Sequence, residues 1–265
     1  MKTTRNDILI ILPLSVLIIL GMIMVASSSI YVADEMTSNP FHFAQRQIIF
    51  IAIGLISMIG FLLLPSNVLY RTDWIFMLLS ILLLIVLFIP DVGTSVNGSI
   101  RWIRLGPINI QPSEICKFSL ILYISGYSVR RMSEIDSVRS FLKPLALLFI
   151  ISILIMGQPD LGSTAIVCIL VVGILFYAGI SFFQLGLLIL LIILLGYLAI
   201  TTSPMRLARV LAFTDPFATE VVLNAGWQLS NSLISIGQGG WFGVGLGNSF
   251  QKSFFLPEAH TDFIF

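Results

Sequence analysis

The chain has little charge. Of its 265 residues, only 10% are Asp, Glu, Lys or Arg, while 57% are hydrophobic. Its mean hydropathy is +1.04. A soluble globular domain carries about a quarter charged residues, so this composition excludes one and predicts an integral membrane protein. The net charge of +1 gives no basis for binding nucleic acid through overall charge.

Cysteine and histidine are also scarce, with two of each. Cys116 and Cys168 stand far apart in apolar runs, without the spacing of metal ligands, so we predict buried free thiols. No full set of metal ligands is visible elsewhere, and we predict no metal site built by the protein. The glycine-rich stretch at 237–248 follows no strand, which argues against a nucleotide-binding loop.

What the sequence does contain is long uncharged runs. A helix that spans a membrane needs roughly 20 mostly apolar residues. The runs predict an all-α fold, a polytopic transmembrane helix bundle within a single membrane domain. The first run is too long for the apolar core of a signal peptide, so we expect it to be retained. The seven predicted spans lie at about 8–28, 47–64, 74–90, 112–129, 144–159, 161–178 and 182–201.

The orientation follows from the basic residues in short connections. Lys2 and Arg5 precede the first span, and a basic cluster lies between 130 and 143, after the fourth. Cytoplasmic loops are rich in Lys and Arg, so both should be cytoplasmic. Segments 91–111 and 202–265 then lie outside, the second as a large loop with short amphipathic helices. Their cations are either tolerated there or serve an anionic ligand, and the sequence leaves both interpretations open.

Two ionisable residues lie inside the predicted fourth span. Glu114 and Lys117 are three residues apart and share a helix face. A charge at the bilayer centre costs on the order of 2.5–3.5 kcal/mol, so they should face a protein interior or a wet cavity. Glu114 also suits the first turn of a helix that Pro112 opens. Lys117 is opposed by the helix dipole there, which favours a functional role.

Asp160 lies in the motif "GQPDLG", at a predicted outer turn. It is either a solvated turn residue, a helix cap or part of a site. Further along, the motif "GWQLSNSLIS" predicts a polar stripe on an otherwise apolar helix, suited to lining a groove. The residues of this stripe are Gln228, Asn231, Ser232 and Ser235.

The last stretch, "LPEAHTDFIF", gathers three polar side chains where the chain turns apolar again. We expect Asp262 to lie outside but close to the bilayer, where a partly desolvated carboxylate can act as a general base. His260 would orient a neighbour or donate a hydrogen bond rather than bind a metal. Glu258 reads as a plain surface charge.

Several long motifs in order resemble the SEDS family, whose members include FtsW, RodA and SpoVE. They are "RWIRLGPINIQPSEICK", "GQPDLG", "DPF", "GWQLSNSLISIGQGGWFGVGLGNSFQK" and "LPEAHTDFIF". The resemblance covers essentially the whole chain, and the last two motifs look more like the FtsW branch of cell division. It implies a polytopic peptidoglycan glycosyltransferase that polymerises lipid II on the outer face of the bacterial plasma membrane, at the septum.

The resemblance also implies roles for individual residues. Asp262 matches the family's proposed catalytic carboxylate, and Arg101 and Lys117 match positions regarded as important. We expect these two to bind substrate together with Glu114, Asp160, Gln228, Asn231 and His260. Implied partners are lipid II, undecaprenyl pyrophosphate, a class B penicillin-binding protein and other division proteins. Because family members have about ten spans, we expect a chain with seven to be truncated at its carboxyl end.

The expected mechanism is inverting glycosyl transfer. Asp262 would take the proton from the 4-hydroxyl of the acceptor sugar, and Arg101 and Lys117 would stabilise the leaving pyrophosphate, with a divalent cation (Mg or Mn) as a further candidate. A single base without a second carboxylate favours inversion. Two alternatives stay open: a lipid II flippase, which Glu114 and Lys117 would serve equally well, and a non-catalytic division scaffold.

Overall fold

The computed structural model describes residues 5–90, 92–96, 99–106, 108–135, 137–219, 226–256 and 259–264. Helices dominate these ranges and follow the apolar runs of the sequence. The helices are α1 (Arg5–Thr37), α2 (His42–Leu63), α3 (Ser66–Val86), α4 (Pro112–Arg130), α5 (Val138–Met156), α6 (Leu161–Ala178), α7 (Phe182–Thr201), α8 (Pro204–Thr214), α9 (Trp227–Gly239) and α10 (Phe250–Phe254). A short 3-10 turn, Met132–Glu134, links α4 to α5.

Six of the helices, α1 to α3 and α5 to α7, are long and apolar enough to cross a membrane. The predicted fourth span, 112–129, is also a helix, but α4 is not among these six. Its 19 residues include Glu114, Lys117 and Arg130 as well as several serines and tyrosines, which lower its hydropathy. The sequence predicted seven spans, whereas six of the described helices are apolar enough to cross a membrane. The polar residues in α4 account for this difference.

Several helices extend past the uncharged runs that predicted them. Helix α1 continues through Asp34 and Glu35, and α5 begins at Val138, so that Arg139 and Lys143 lie in its first turns. A helix does not stop where its side chains become polar, since charged residues near a span's end reach the interface. The predicted break near 177–181 is confirmed: α6 ends at Gly179, in the left-handed conformation with φ of 83°.

A small antiparallel sheet occupies the loop that the sequence marked only as an outer segment. Its strands are β1 (Gly93–Val96), β2 (Ser99–Leu105) and β3 (Ile108–Ile110), in the order β1-β2-β3. The run "SIRWIRL" is rich in β-branched and aromatic residues, which favour strands. Residues two apart share a face, so Arg101 lies on the face of buried Ile103, whereas Arg104 is exposed on the other face.

The chain divides into two compact units, and each is described by itself. One unit, Leu64–Leu198, contains the sheet and the helices from α3 to α7. Within it, α4 packs against α3 and α6, and α5 packs against α6. Small residues permit close packing between helices in a membrane. Ser80 and Ser119 are fully buried and donate to carbonyls of their own helices, so their hydroxyls need no other partner.

Both cysteines lie in the apolar core of this unit. Cys116 and Cys168 are buried and free, which confirms the prediction. The same core holds leucine, isoleucine and valine side chains from α3 to α7, among them Leu84, Leu120, Ile124, Ile151 and Val171.

A buried ion pair, which the sequence analysis did not find, joins α3 to α4. Arg130 Nη1 lies 2.8 Å from Asp73 Oδ2, and the Asp73 side chain is only 2% exposed. The guanidinium also stacks over the ring of Tyr70 and donates to the carbonyl of that residue. Gly126 faces the carboxylate, because a Cβ added there would meet Asp73 Oδ2. This absence of a side chain makes room for the pair.

The other unit comprises Met1–Leu63 and Ala199–Phe265. Helix α1 packs against α2 and also contacts α10, which in turn contacts α9. Helix α8 begins with Ser203 at the N-cap and Pro204 in its first turn. Between α9 and α10 the glycine-rich loop takes left-handed backbone conformations at Gly240, Gly243, Gly245 and Gly247.

Candidate functional site

Arg101 and Asp160, predicted to belong to one site, are neighbours in the structure. The Arg101 guanidinium donates from Nη2 to the carbonyl of Pro159 at 2.6 Å. Its Nε lies 3.7 Å from Asp160 Oδ2, which is an ion pair but too long for a hydrogen bond. Strand β2 therefore holds the arginine against the turn that precedes α6. One third of the Arg101 side chain remains exposed, while its Nε is buried without a hydrogen-bond partner among the described residues.

Asp160 is the N-cap of α6, one of the roles that the sequence left open. Its Oδ1 accepts from the Ser163 N–H at 3.1 Å, and its Oδ2 accepts from the Ser163 hydroxyl at 2.7 Å. The residue is 6% exposed, so it is not a solvated turn residue. Its negative charge lies at the positive end of the helix dipole, which stabilises both. Asp160 thus fixes the turn that Arg101 contacts.

Glu114 and Lys117 form the predicted pair on one face of α4. Lys117 Nζ donates to Glu114 Oε1 at 2.6 Å. The two side chains differ in exposure, since Lys117 is 16% exposed and Glu114 is 56% exposed. Pro112 opens the helix as expected, which places Glu114 in the first turn. The Lys117 side chain is therefore mostly buried, and the Glu114 carboxylate that pairs with it is mostly exposed.

Asp262 lies in the other unit, near the amino-terminal end of α9. Gln228 Nε2 donates to Asp262 Oδ2 across 3.4 Å, so two predicted site residues meet here. Asp262 is exposed, whereas the sequence analysis expected partial desolvation. The difference arises because the neighbouring side chains, rather than Asp262, turn inward: Ala259 and Leu256 are buried.

His260 packs against α2 rather than beside Asp262. Its ring lies 4.6 Å from the ring of Phe43, centroid to centroid. Its Nδ1 is buried and makes no hydrogen bond to any residue that the structure describes. This packing anchors the stretch that carries Asp262. Glu258, which the sequence marked as a surface charge, lies outside the described residues.

The predicted polar stripe of α9 turns inward only in part. Asn231 and Ser232 are buried, while Gln228 and Ser235 are half-buried. Asn231 donates to the Trp227 carbonyl, and Ser232 and Ser235 donate to other carbonyls of the helix. These three side chains therefore form hydrogen bonds within α9 itself. Gln228 is the member of the stripe that reaches another part of the chain, at Asp262.

The structure thus brings the predicted residues together in three pairs: Arg101 with Asp160, Glu114 with Lys117, and Asp262 with Gln228. The first two pairs belong to one unit and the third to the other. Within the described ranges, no three His, Cys, Asp or Glu side chains lie close enough to hold a metal ion.

Lys252 lies in the segment 202–265, whose cations the sequence left with two interpretations. In the structure its Nζ donates to the Ile264 carbonyl at 2.9 Å, which ties α10 to the stretch that carries Asp262. Partial burial lowers the pKa of this ammonium. The available signal was a lysine within the motif "GNSFQK" close to a candidate base, but sequence spacing alone does not bring the two segments together.

Comparison with known proteins bears on the whole chain. A family described as cell cycle proteins (FtsW, RodA, SpoVE) matches residues 7–265. A probable peptidoglycan glycosyltransferase FtsW of Alkalilimnicola ehrlichii is 44% identical over 247 residues, covering 93% of this chain and 61% of the relative. One from Legionella pneumophila is 42% identical over 251 residues, covering 94% and 63%. The chain therefore spans less than two thirds of the length of these relatives.

Solved structures share the fold. The rod shape determining protein RodA of Thermus thermophilus superposes with a TM-score of 0.58 at 19% identity, covering 93% of this chain and 92% of that one. A peptidoglycan synthase complex, described as coordinating polymerization and crosslinking, gives a TM-score of 0.60 at 24% identity, covering 84% of this chain and 64% of that one. At these identities the likeness establishes the helical membrane fold.

Proposed function

Because this chain belongs to the FtsW, RodA and SpoVE family of cell cycle proteins, we propose that it acts as a peptidoglycan glycosyltransferase. Its substrate would be lipid II, polymerised into glycan strands at the outer face of the bacterial plasma membrane during division. The name shared by relatives at 42–44% identity supports this activity. From the basic residues in the short connections, we propose that the amino terminus lies in the cytoplasm and that 91–111 and 202–265 lie outside.

The observation that carries the proposal is the position of Asp262. It is an exposed carboxylate outside the spanning helices, oriented by a donor from Gln228. A general base must lie within hydrogen-bonding reach of the proton that it removes, and an exposed carboxylate is open to a substrate hydroxyl. Asp262 would accept the proton of the acceptor's 4-hydroxyl as that oxygen attacks the anomeric carbon of the donor. The bond from that carbon to pyrophosphate breaks, and the configuration inverts.

The leaving undecaprenyl pyrophosphate gains negative charge, which fixed cations stabilise. Arg101 is partly exposed, and only its Nη2 donates a hydrogen bond, to the Pro159 carbonyl, among the described residues. Lys117 is held by a carboxylate that is itself mostly exposed. Because Glu114 is already mostly exposed to water, an anion can replace it at Lys117 without exposing a buried carboxylate. We assign the pyrophosphate to these two cations.

A divalent cation belongs to the proposal only as a companion of the substrate. It would neutralise pyrophosphate oxygens, and such an ion is usually held by substrate phosphates and one or two carboxylates. Glu114, exposed beside Lys117, is the described carboxylate best placed to contribute. Activity measured with Mg²⁺ or Mn²⁺ and after chelation tests this requirement.

The proposed partner is a crosslinking enzyme, a class B penicillin-binding protein, together with other division proteins at the septum. The support is the coupling of polymerization and crosslinking described for one structure of this fold. Nucleic acid is not expected as a partner, given a net charge of +1. Co-purification from membranes, with the transpeptidase as the identified protein, tests the pairing.

The decisive experiment uses the protein at its natural full length, purified in detergent and supplied with lipid II. Asp262→Asn keeps the shape of the side chain but removes the base, and we expect glycan formation to fall by about 100-fold or more. Glu35→Gln, another exposed carboxylate substitution, is the control and should polymerise normally. Wild-type rates for Asp262→Asn would remove Asp262 as the base. Absence of glycan from the unmodified protein would favour a flippase or a scaffold.

A further inference from the structure

A pocket lies between α1 and the glycine-rich loop that leads into α10. It is small and partly open to solvent, with a cavity volume of about 50 Å³. All of its lining belongs to the unit that contains Asp262. We call it the Lys252 pocket, and it is lined by Met24, Ser27, Ser28, Tyr31, Gly245, Leu246, Gly247, Ser249 and Lys252.

The pocket contains a cation without an acidic neighbour in its lining. Lys252 is half-buried, and the partner of its Nζ is the neutral carbonyl of Ile264. The ion pairs found among the described residues do not include it. The carbonyl accepts one of the three N–H donors of the ammonium, so two remain for a ligand in the pocket. An anion in the pocket would complete the set.

The rest of the lining supplies a further donor. Ser27 accepts the Gly247 N–H at 2.9 Å, and Ser249 accepts the Lys252 N–H. A hydroxyl that accepts one hydrogen bond keeps its own proton to donate. Ser27 can therefore donate to the same ligand as Lys252. The left-handed Gly247, with φ of 76°, lets the loop approach α1 closely enough for this contact.

The pocket is tied to the stretch that carries the candidate base. Lys252 binds the carbonyl of Ile264, two residues after Asp262. Two residues of extended chain span at most about 7 Å, so the ammonium lies near the Asp262 backbone. A phosphate held at Lys252 would therefore lie within about 10 Å of the Asp262 backbone, which leaves room for the sugars that separate the acceptor's pyrophosphate from its 4-hydroxyl.

We propose that the Lys252 pocket binds the pyrophosphate of the acceptor lipid. This inference rests on the proposed function, because a polymerase that joins two lipid-linked sugars handles two pyrophosphates. The donor's pyrophosphate leaves and is assigned to Arg101 and Lys117. The acceptor's pyrophosphate stays attached, and Lys252 would anchor it while Asp262 acts on the same molecule. The shared chemistry is a lipid phosphate, so a membrane phospholipid is the second possible source.

The test counts bound lipid by native mass spectrometry on full-length protein in detergent. The probes are undecaprenyl pyrophosphate and phosphatidylglycerol, each titrated separately. Lys252→Met removes the charge and keeps the length of the side chain, and Lys252→Arg restores the charge. Lys143→Met, an exposed lysine in α5 of the other unit, is the matched control. Binding does not require turnover, so failure of the proposed activity and failure of this site are distinguishable.

We expect Lys252→Met to weaken binding of one undecaprenyl pyrophosphate per chain by about tenfold or more, as for loss of a charged hydrogen bond. Lys252→Arg and Lys143→Met should bind normally. If Lys252→Met loses affinity for phosphatidylglycerol alone, the pocket binds the phosphate of a membrane phospholipid rather than that of the acceptor lipid. That result overturns the acceptor assignment. Unchanged binding of both probes overturns the site.

A kinetic readout separates binding from a structural role. Lys252→Met should raise the KM for lipid II more than it lowers kcat, whereas Asp262→Asn should lower kcat. The thermal stability of the Lys252→Met variant should not fall, because this substitution removes a half-buried charge with a neutral partner. Should Lys252→Met fail to fold, Ser27→Ala tests the same pocket through its second donor, and unchanged affinity there would contradict the proposal.

Discussion

Gly126→Ala is expected to break the buried ion pair between α3 and α4. A Cβ at this position would meet Asp73 Oδ2, and it would lie 3.2 Å from both Asp73 Cγ and Arg130 Nη1. The carboxylate cannot simply swing into water, because its side chain is 2% exposed. The added methyl must therefore push Asp73 from Arg130 or separate the two helices.

The size of the effect follows from two opposing contributions. Breaking a buried ion pair costs about 3–5 kcal/mol, and the 35% exposure of Arg130 places this pair at the lower end. Alanine favours a helix over glycine by about 1 kcal/mol, which acts in the other direction. The net loss is about 2 kcal/mol, or a fall in Tm of about 4–8 °C for a chain of this size.

Thermal unfolding in detergent measures this loss, with Gly173→Ala as the matched control. Gly173 also lies inside a helix, α6, but a Cβ there would meet no atom within 4 Å. It should leave Tm unchanged or raise it slightly. Asp73→Asn combined with Gly126→Ala should lose less than the sum of the two, because both act on one pair. Equal Tm values for the two glycine variants would refute the reasoning.

Substitutions in two other ion pairs separate the effect of the charge from the effect of the hydrogen-bond geometry. Asp160→Asn keeps an acceptor for the Ser163 N–H and should unfold near the wild-type temperature, whereas Asp160→Ala should lose about 1 kcal/mol with the helix cap. Both should polymerise lipid II more slowly, because neither holds the Arg101 guanidinium by charge, and wild-type activity of Asp160→Asn would refute that role. Glu114→Gln should cost less than about 1 kcal/mol because its side chain is mostly exposed. Lys117→Gln should reduce activity far more than Glu114→Gln, and equal activities would contradict the assignment of Lys117 to substrate.

The spanning helices could be predicted from the sequence because the bilayer sets their length and apolar character. Helices α6 and α7 lie within the bounds expected for them, and the left-handed Gly179 accounts for the break between them. The uncharged-run criterion failed at helix ends, where Arg139 and Lys143 continue α5. The three-stranded sheet was missed because its segment was treated as a polar connection between spans, although "SIRWIRL" carries a strand signal.

The candidate site was predictable where its contacts are local. Glu114 and Lys117 are one helical turn apart, and Asp160 caps the helix that follows it, so spacing alone indicated both. The contact of Arg101 with this cap depends on the sheet that places β2 against the turn before α6, and no sequence spacing encodes it. The link from Lys252 to Ile264 is equally a product of folding.

The charged pairs of the Leu64–Leu198 unit differ in a way that bears on function. At one end of its helices, Arg130 and Asp73 form a closed pair: the carboxylate is buried, and the guanidinium also binds Tyr70. At the opposite end, where α4 and α6 begin, the pairs are looser. Arg101 lies 3.7 Å from the buried Asp160 carboxylate, and Lys117 is paired with an exposed carboxylate.

The Asp73–Arg130 pair resists replacement, because Asp73 alone would be a buried, uncompensated charge. The Glu114–Lys117 pair can exchange its carboxylate for a substrate anion more easily, because Glu114 is already mostly exposed to water. The same chain thus uses ion pairs to fix α3 against α4 and to keep cations available at the other end of the bundle. Such a division is expected of a membrane enzyme whose anionic substrate enters from one side, and it predicts that Asp73→Asn lowers stability while Lys117→Gln lowers activity.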